Sequence, residues 1–158
     1  MTPGTTRKIT VDTAGVYVDT TIFMYAMGAE SPYKAPCARI LRAGAADRQV
    51  LVTSAETYQE VLHRYRSIGR HADIQTTFEA ISAAVRRVLP VTFEDMEEAR
   101  RLGERTPRDA GASARDLVHA AVARRQGLRE ILTVDAGFAS IPGVVVVDPL
   151  RWQSGAGA

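Results

Sequence analysis

The sequence predicts an α/β protein, a three-layer α/β/α sandwich around a mainly parallel central sheet, and three observations carry that prediction. Its strand candidates are apolar throughout rather than alternating, as strands buried on both faces are. Each is followed by a stretch of helical periodicity, the order that builds a parallel sheet by crossover connections. Acids and hydroxyls collect where those strands end, at Asp19, Thr53 and Ser54, Thr133 and Asp135, and Asp148. That is the edge at which open parallel sheets bind ligands.

The elements follow in order. "GVYVD" (15–19) reads as a buried strand, and Thr20 or Thr21 as the cap of a short helix to about Met27. "SPYKAPCARILRAGAADRQ" predicts a helix from about Tyr33 to Ala46, and "VLVTS" (50–54) a second strand. Ser54 is placed to cap the helix "AETYQEVLHRYRS", in which Tyr58, Val61, Leu62 and Tyr65 make one apolar stripe. A further amphipathic helix is expected over 73–88, a short strand at "VLPV", and a charged helix at "FEDMEEARRLGER". The acidic start and basic end of that helix suit the helix macrodipole. The turn-rich "TPRDAGAS" (106–113) leads into the helix "ARDLVHAAVARRQG", stopped at Gly127, and then into strands at "EILTVD" (130–135) and "GVVVVDP" (143–149).

Composition bounds the function. A chain of 158 residues fits one domain, expected over 15–150, with a flexible segment at 1–14 and a disordered tail at 151–158. No apolar run approaches the roughly 18 to 20 residues that span a bilayer, and the first residues lack the apolar core of a secretory signal. A cytoplasmic protein with no membrane contact is the expectation. The lone Cys37 excludes an internal disulfide and a thiolate metal site, which leaves oxygen or imidazole for any metal. A net charge of +2 does not announce a nucleic-acid binder. Arginine nonetheless supplies nearly all the cations, and its planar fork suits phosphate.

The chemistry lies in the acids. A carboxylate at the mouth of an apolar strand is costly to desolvate unless it is hydrogen-bonded or holds a cation. Asp19 ends the first strand and Asp135 lies just past the strand ending at Thr133, on the same edge of the sheet, and Asp116 sits in the first turn of a helix whose Ala120 and Ala123 allow close approach to the sheet. Glu60, on the helix after the second strand, lies beside Val61 but off the centre of the stripe, so periodicity does not fix its direction. Carboxylates gathered at one point raise one another's pKa unless a cation neutralises them. All-oxygen ligation suits Mg²⁺ or Mn²⁺, ions that activate water for attack on a phosphodiester.

Together, "VYVDTTIFMYA", "VTSAETYQEVL", "ARDLVHAAVARRQGL" and "ILTVDAGFASIPGVVVVDP" resemble, in order and spacing from about Val16 to Pro149, the motifs of PIN-domain ribonucleases, especially VapC-type toxins. The resemblance implies a PIN-like fold and a metal-dependent endoribonuclease. It places the four acids at Asp19, Glu60, Asp116 and Asp135 as metal-holding catalytic residues, and Thr133 as the hydroxyl that accompanies the fourth. Thr21 stands where many members have Asn, a departure expected to loosen the positioning of Asp19 or of a water; Thr21 and Ser54 are otherwise supporting residues. The resemblance further implies a homodimer, an RNA substrate cut to a 5′-phosphate and a 3′-hydroxyl, and inhibition by a small antitoxin that wraps the toxin.

Plainer readings stand beside these. Asp19 can serve as a helix cap and Asp135 as a turn acid. Asp148, before Pro149, reads as a turn residue, and His119, three residues after Asp116, as a histidine packed against the sheet rather than a general base. Arg115 is a candidate RNA contact, whereas Arg86–Arg87, Arg100–Arg101 and Arg124–Arg125 read as solvated helix faces. "DTTI" also resembles the first motif of haloacid-dehalogenase-like phosphatases, but their second acid is replaced by Thr21. A receiver domain would need paired acids after the first strand and a late lysine. The remaining alternatives are a PIN-like module that binds RNA or protein without cutting, and a housekeeping RNA-processing nuclease.

Overall fold

The computed structural model describes residues 15–153; the expected flexible segment 1–14 and residues 154–158 of the expected tail lie outside them. Five strands, β1 (Val16–Val18), β2 (Leu51–Ser54), β3 (Arg87–Leu89), β4 (Glu130–Leu132) and β5 (Val145–Val147), form one sheet. Their order is β3-β2-β1-β4-β5 and every pairing is parallel. The helices are α1 (Thr20–Met27), α2 (Lys34–Ala45), α3 (Ala55–Ser67), α4 (Asp73–Ala84), α5 (Phe93–Glu104) and α6 (Ala114–Arg125). The apolar strands, short but buried at the centre, are thus covered on both faces, as their composition demands.

Strand alternation sorts the core into two layers. Val16, Val18, Leu51 and Leu132 point toward α1–α4, where they meet Ile22, Phe23, Ile40, Val61 and Ile81. Tyr17, Val52 and Ile131 point the other way, onto Ala99 and Leu102 of α5 and the alanines of α6. Ala120 and Ala123 are buried, as close packing of α6 on the sheet requires. A buried Asp95 ties the two helices of this face together: it closes the capping box of α5 with Thr92 and accepts a forked pair of bonds, 2.6 and 3.0 Å long, from Arg125 at the end of α6. That fork gives Arg125 a partner the solvated-face reading did not foresee. Trp152 packs against the α1–α4 layer.

Several boundaries differ from the sequence expectation. The helix expected over 73–88 stops at Ala84, and the chain from Val85 is extended. Val88 then pairs with Thr53 in β3; the strand expected at "VLPV" ends before Pro90, which has no N–H to donate. The strand expected through Asp135 ends at Leu132, because Asp135 caps a 3₁₀ turn, Ala136–Ser140. Leu62, expected in the apolar stripe of α3, is 42% exposed, and Thr57 takes the inward position instead. The chain runs outward from β1 to β2 and β3, then returns past β1 to β4. The reversal therefore falls between β1 and β4, and the carboxyl ends of those two strands frame the crevice there.

Candidate active site

Asp19 stands at that reversal. It leaves β1 with an extended backbone and caps α1, displacing Thr20 and Thr21 from the expected capping role. Its N–H donates to the Leu132 carbonyl at 2.9 Å, which ties it to β4. Its Oδ2 accepts 2.8 Å bonds from Thr21 Oγ1 and Thr133 Oγ1. Thr21 Oγ1 in turn accepts from Val134 N–H at 3.1 Å. Thr21 thus clamps Asp19 to the end of β4, and the expected loosening of Asp19 is not found. The carboxylate is buried, 3% exposed, so these donors offset a desolvation that would otherwise be severe.

Asp116 and Asp135 are held by local turns. Asp116 is the third residue of α6, where its Oδ2 accepts the Ser113 N–H at 2.8 Å while Ser113 Oγ accepts the Asp116 N–H. Such a capping box places an acid in the first turn, near the positive end of the helix dipole. Burial pushes the Asp116 carboxyl up to about 6; Asp135 and Asp19 add to the rise, and the Ser113 bonds oppose it. Asp135 accepts the Gly137 N–H at 2.8 Å and donates its own N–H to Thr133 Oγ1 at 2.9 Å. Gly137 is needed there because a Cβ would fall 2.5 Å from the Gly111 carbonyl oxygen. The loop leading to Asp116 therefore rests directly on the turn that carries Asp135.

Glu60 is brought in by hydroxyls rather than by the apolar stripe. Thr53 bonds Thr57 at 2.8 Å, and Thr20 Oγ1 donates to Glu60 Oε1 at 3.0 Å. Since Thr57 faces inward, Glu60 three residues later shares its face. The same Oε1 pairs with His119 Nε2. Burial alone would raise Glu60, but the His119 bond, then Thr20 and Arg115, outweigh it and hold the carboxyl below its usual range. Burial likewise opposes a charged His119, yet the bond to Glu60 and the nearby Asp19 prevail and raise it. Ser54 does not cap α3 with its side chain. Its hydroxyl bonds Tyr17 Oη at 2.7 Å, and Tyr17 Oη meets His119 Nδ1 at 2.5 Å.

Asp19, Glu60, Asp116 and Asp135 line one open cleft of about 350 Å³ with Thr21, Ser113 and Arg115. Arg115, 45% exposed in its side chain, stands 4.0 Å from Glu60 Oε2. The tightest group is Asp19, Glu60 and His119, whose donor atoms lie within 4.8 Å of one another. Reading the sequence missed the polar attachment of His119 to this group. The available signal was its place one turn after Asp116 on the alanine-rich face of α6. Asp148, by contrast, accepts the Leu150 N–H at 2.9 Å in a turn.

A hard divalent cation fits the donor set. Asp19, Asp116 and Asp135 each commit one carboxylate oxygen to the fold, and among the described residues the other oxygen of each accepts no hydrogen bond. Mutual repulsion and the raised Asp116 carboxyl are the electrostatic signature of a site that gains from a cation.

A parallel α/β/α sandwich with an acidic, oxygen-rich cleft at its topological reversal is an arrangement that can hold a divalent cation against a phosphodiester. The PIN domain family model matches residues 16–144. Ribonuclease VapC13 of Mycobacterium tuberculosis is 39% identical over 129 residues, covering 82% of this chain and 96% of that protein. The chain belongs to the PIN domain family, among its VapC ribonucleases. The crystal structure of M. tuberculosis VapC20 superposes with a TM-score of 0.62 at 21% identity, covering 82% of this chain and 98% of that one. A toxin–antitoxin complex from Klebsiella pneumoniae does so with a TM-score of 0.57 at 22% identity, covering 85% and 97%. Among the described residues no helix is long and apolar enough to cross a membrane.

Proposed function

We propose that this chain is the metal-dependent endoribonuclease of a toxin–antitoxin pair, with Asp19, Glu60, Asp116 and Asp135 holding Mg²⁺ or Mn²⁺. The observation that carries the reading is that acids from four separate stretches of sequence line one cleft at the β1/β4 reversal. A divalent cation there supplies charge neutralisation at the scissile phosphate and lowers the pKa of water. The chain's own residues do the rest. Thr21 and Thr133 orient Asp19, the Ser113 capping box orients Asp116, and the Gly137 N–H orients Asp135. Arg115, at the rim, offers a guanidinium to the RNA backbone.

The partner reading follows from family membership: a cognate antitoxin and a homodimer, with α1–α4 as the docking surfaces. A groove lined by Met24, Tyr25, Tyr65 and Ile68 opens on that face. The test of the activity is cleavage of a mixed structured-RNA pool by the purified chain with Mg²⁺, Mn²⁺ or EDTA, comparing wild type with Asp19→Asn and Asp116→Asn. Metal-dependent cutting lost in both folded variants is expected. Cutting that survives both substitutions overturns the site, and binding of RNA without cutting favours a non-catalytic module.

A further inference from the structure

Two buried groups stand behind the cleft without lining it. Tyr17 and His119 are both fully buried, and neither lines the cleft. Tyr17 occupies the centre of β1, a position whose packing needs only an aromatic ring, so its hydroxyl is a desolvated polar group with work to do elsewhere. The Tyr17 oxygen touches Ser54 Oγ on one side and His119 Nδ1 on the other. The far nitrogen of that imidazole bonds Glu60 Oε1 and lies 3.6 Å from Asp19 Oδ1. The chain of contacts runs from the last residue of β2 across β1 to α6, and ends on an acid of α3.

We infer that Tyr17 and His119 form a positioning relay that locks the Glu60 carboxylate toward the cleft, an inference that rests on the metal-dependent reading of that cleft. Hydrogen counting closes the relay in either charge state of the imidazole. Nε2–H donates to the carboxylate in both; Nδ1 accepts from the Tyr17 hydroxyl when the ring is neutral and donates to the Tyr17 oxygen when it is charged. Ser54, whose hydroxyl does not cap α3, bonds the other side of the Tyr17 oxygen in both cases, as donor in the first and acceptor in the second. With Thr20 as second donor, Oε1 of Glu60 is held at two points, and Oε2 is left on the Arg115 side. Partners of this kind, one bond removed from a ligand, set its orientation. His119 itself is already engaged at both ring nitrogens, which favours positioning over direct ligation.

The full chain and Mn²⁺ provide the test. Mn²⁺ affinity is measured from the electron-spin signal of the free ion, alongside steady-state RNA cleavage. Tyr17→Phe keeps the ring and the core, and is expected to weaken Mn²⁺ binding by about 10- to 100-fold, with KM for RNA unchanged. In a Glu60→Gln background the same substitution should cost nothing more, since the relay acts through Glu60. His119→Gln should behave as Tyr17→Phe does; if it fails to fold, Tyr17→Phe decides. Wild-type affinity in Tyr17→Phe, an equal loss in both backgrounds, or nitrogen coupling from His119 to bound Mn²⁺ would overturn the relay. A wild-type chain that neither binds Mn²⁺ nor cuts RNA refutes the metal-dependent reading and the relay with it. Failure of the relay alone leaves wild type binding and cutting.

Discussion

At the scale of the residue, each acid answers the cost of its own burial differently. Asp19 relies on two threonine hydroxyls, Glu60 on an imidazole, and Asp135 on a backbone N–H. Asp116 has the Ser113 bonds, and burial still raises it to about 6. A carboxyl whose folded pKa exceeds its unfolded value of about 3.9 costs stability when ionised. That cost is fully present above pH 6 and vanishes below pH 4. Asp116→Asn keeps an acceptor for the Ser113 N–H and removes the charge, so in EDTA at pH 7.5 it should stabilise the fold by about 1–2 kcal/mol. The gain should disappear at pH 4, and urea unfolding at the two pH values measures it. An equal effect at both would mean that charge is not the cause.

At the scale of the element, the close approaches are set by small residues. Gly44 sits near the end of α2, where a Cβ would come 2.2 Å from the Ala84 carbonyl oxygen and 2.6 Å from Leu51 Cδ1. In a solvent-exposed helix, Gly→Ala stabilises by roughly 1 kcal/mol. Here the obstacle is the backbone of α4, which cannot rotate away, so Gly44→Ala should destabilise by about 1–3 kcal/mol, the usual cost of overpacking. Thermal unfolding gives the sign directly. Helix and strand identities were legible from periodicity because burial on two faces leaves a plain apolar signature. Boundaries were less so: α4 ends at Ala84 because the chain beyond it pairs with β2, a partner distant in sequence, and β4 ends at Leu132 ahead of the turn that Asp135 caps.

At the scale of the whole molecule, the site belongs to no single element. The four acids come from the ends of β1 and β4, from α3 and from α6, and they meet because the chain reverses direction across the sheet between β1 and β4. A cation that binds only the folded chain stabilises it by mass action, about 2.7 kcal/mol at a concentration 100 times its dissociation constant. Added Mn²⁺ should therefore raise the melting temperature of wild type in a saturable way and leave Asp19→Asn unmoved. Equal shifts in both would point to weak binding elsewhere on the surface.

The sequence by itself determined the parallel sandwich and the acids at its edge, since burial on both faces and the cost of a carboxylate beside an apolar strand are written in local composition. Asp19 and Asp135 were legible on that ground, Asp116 through the small Ala120 and Ala123 that let its helix approach the sheet, and Glu60 through the resemblance of its motif. Only the tertiary structure decided that Thr21 clamps Asp19, that Thr57 turns Glu60 inward, and that Ser54 serves Tyr17 rather than α3. It alone joined His119 to Glu60. A hydroxyl or an imidazole bonds in whichever direction a partner lies, and packing, not periodicity, supplies the partner.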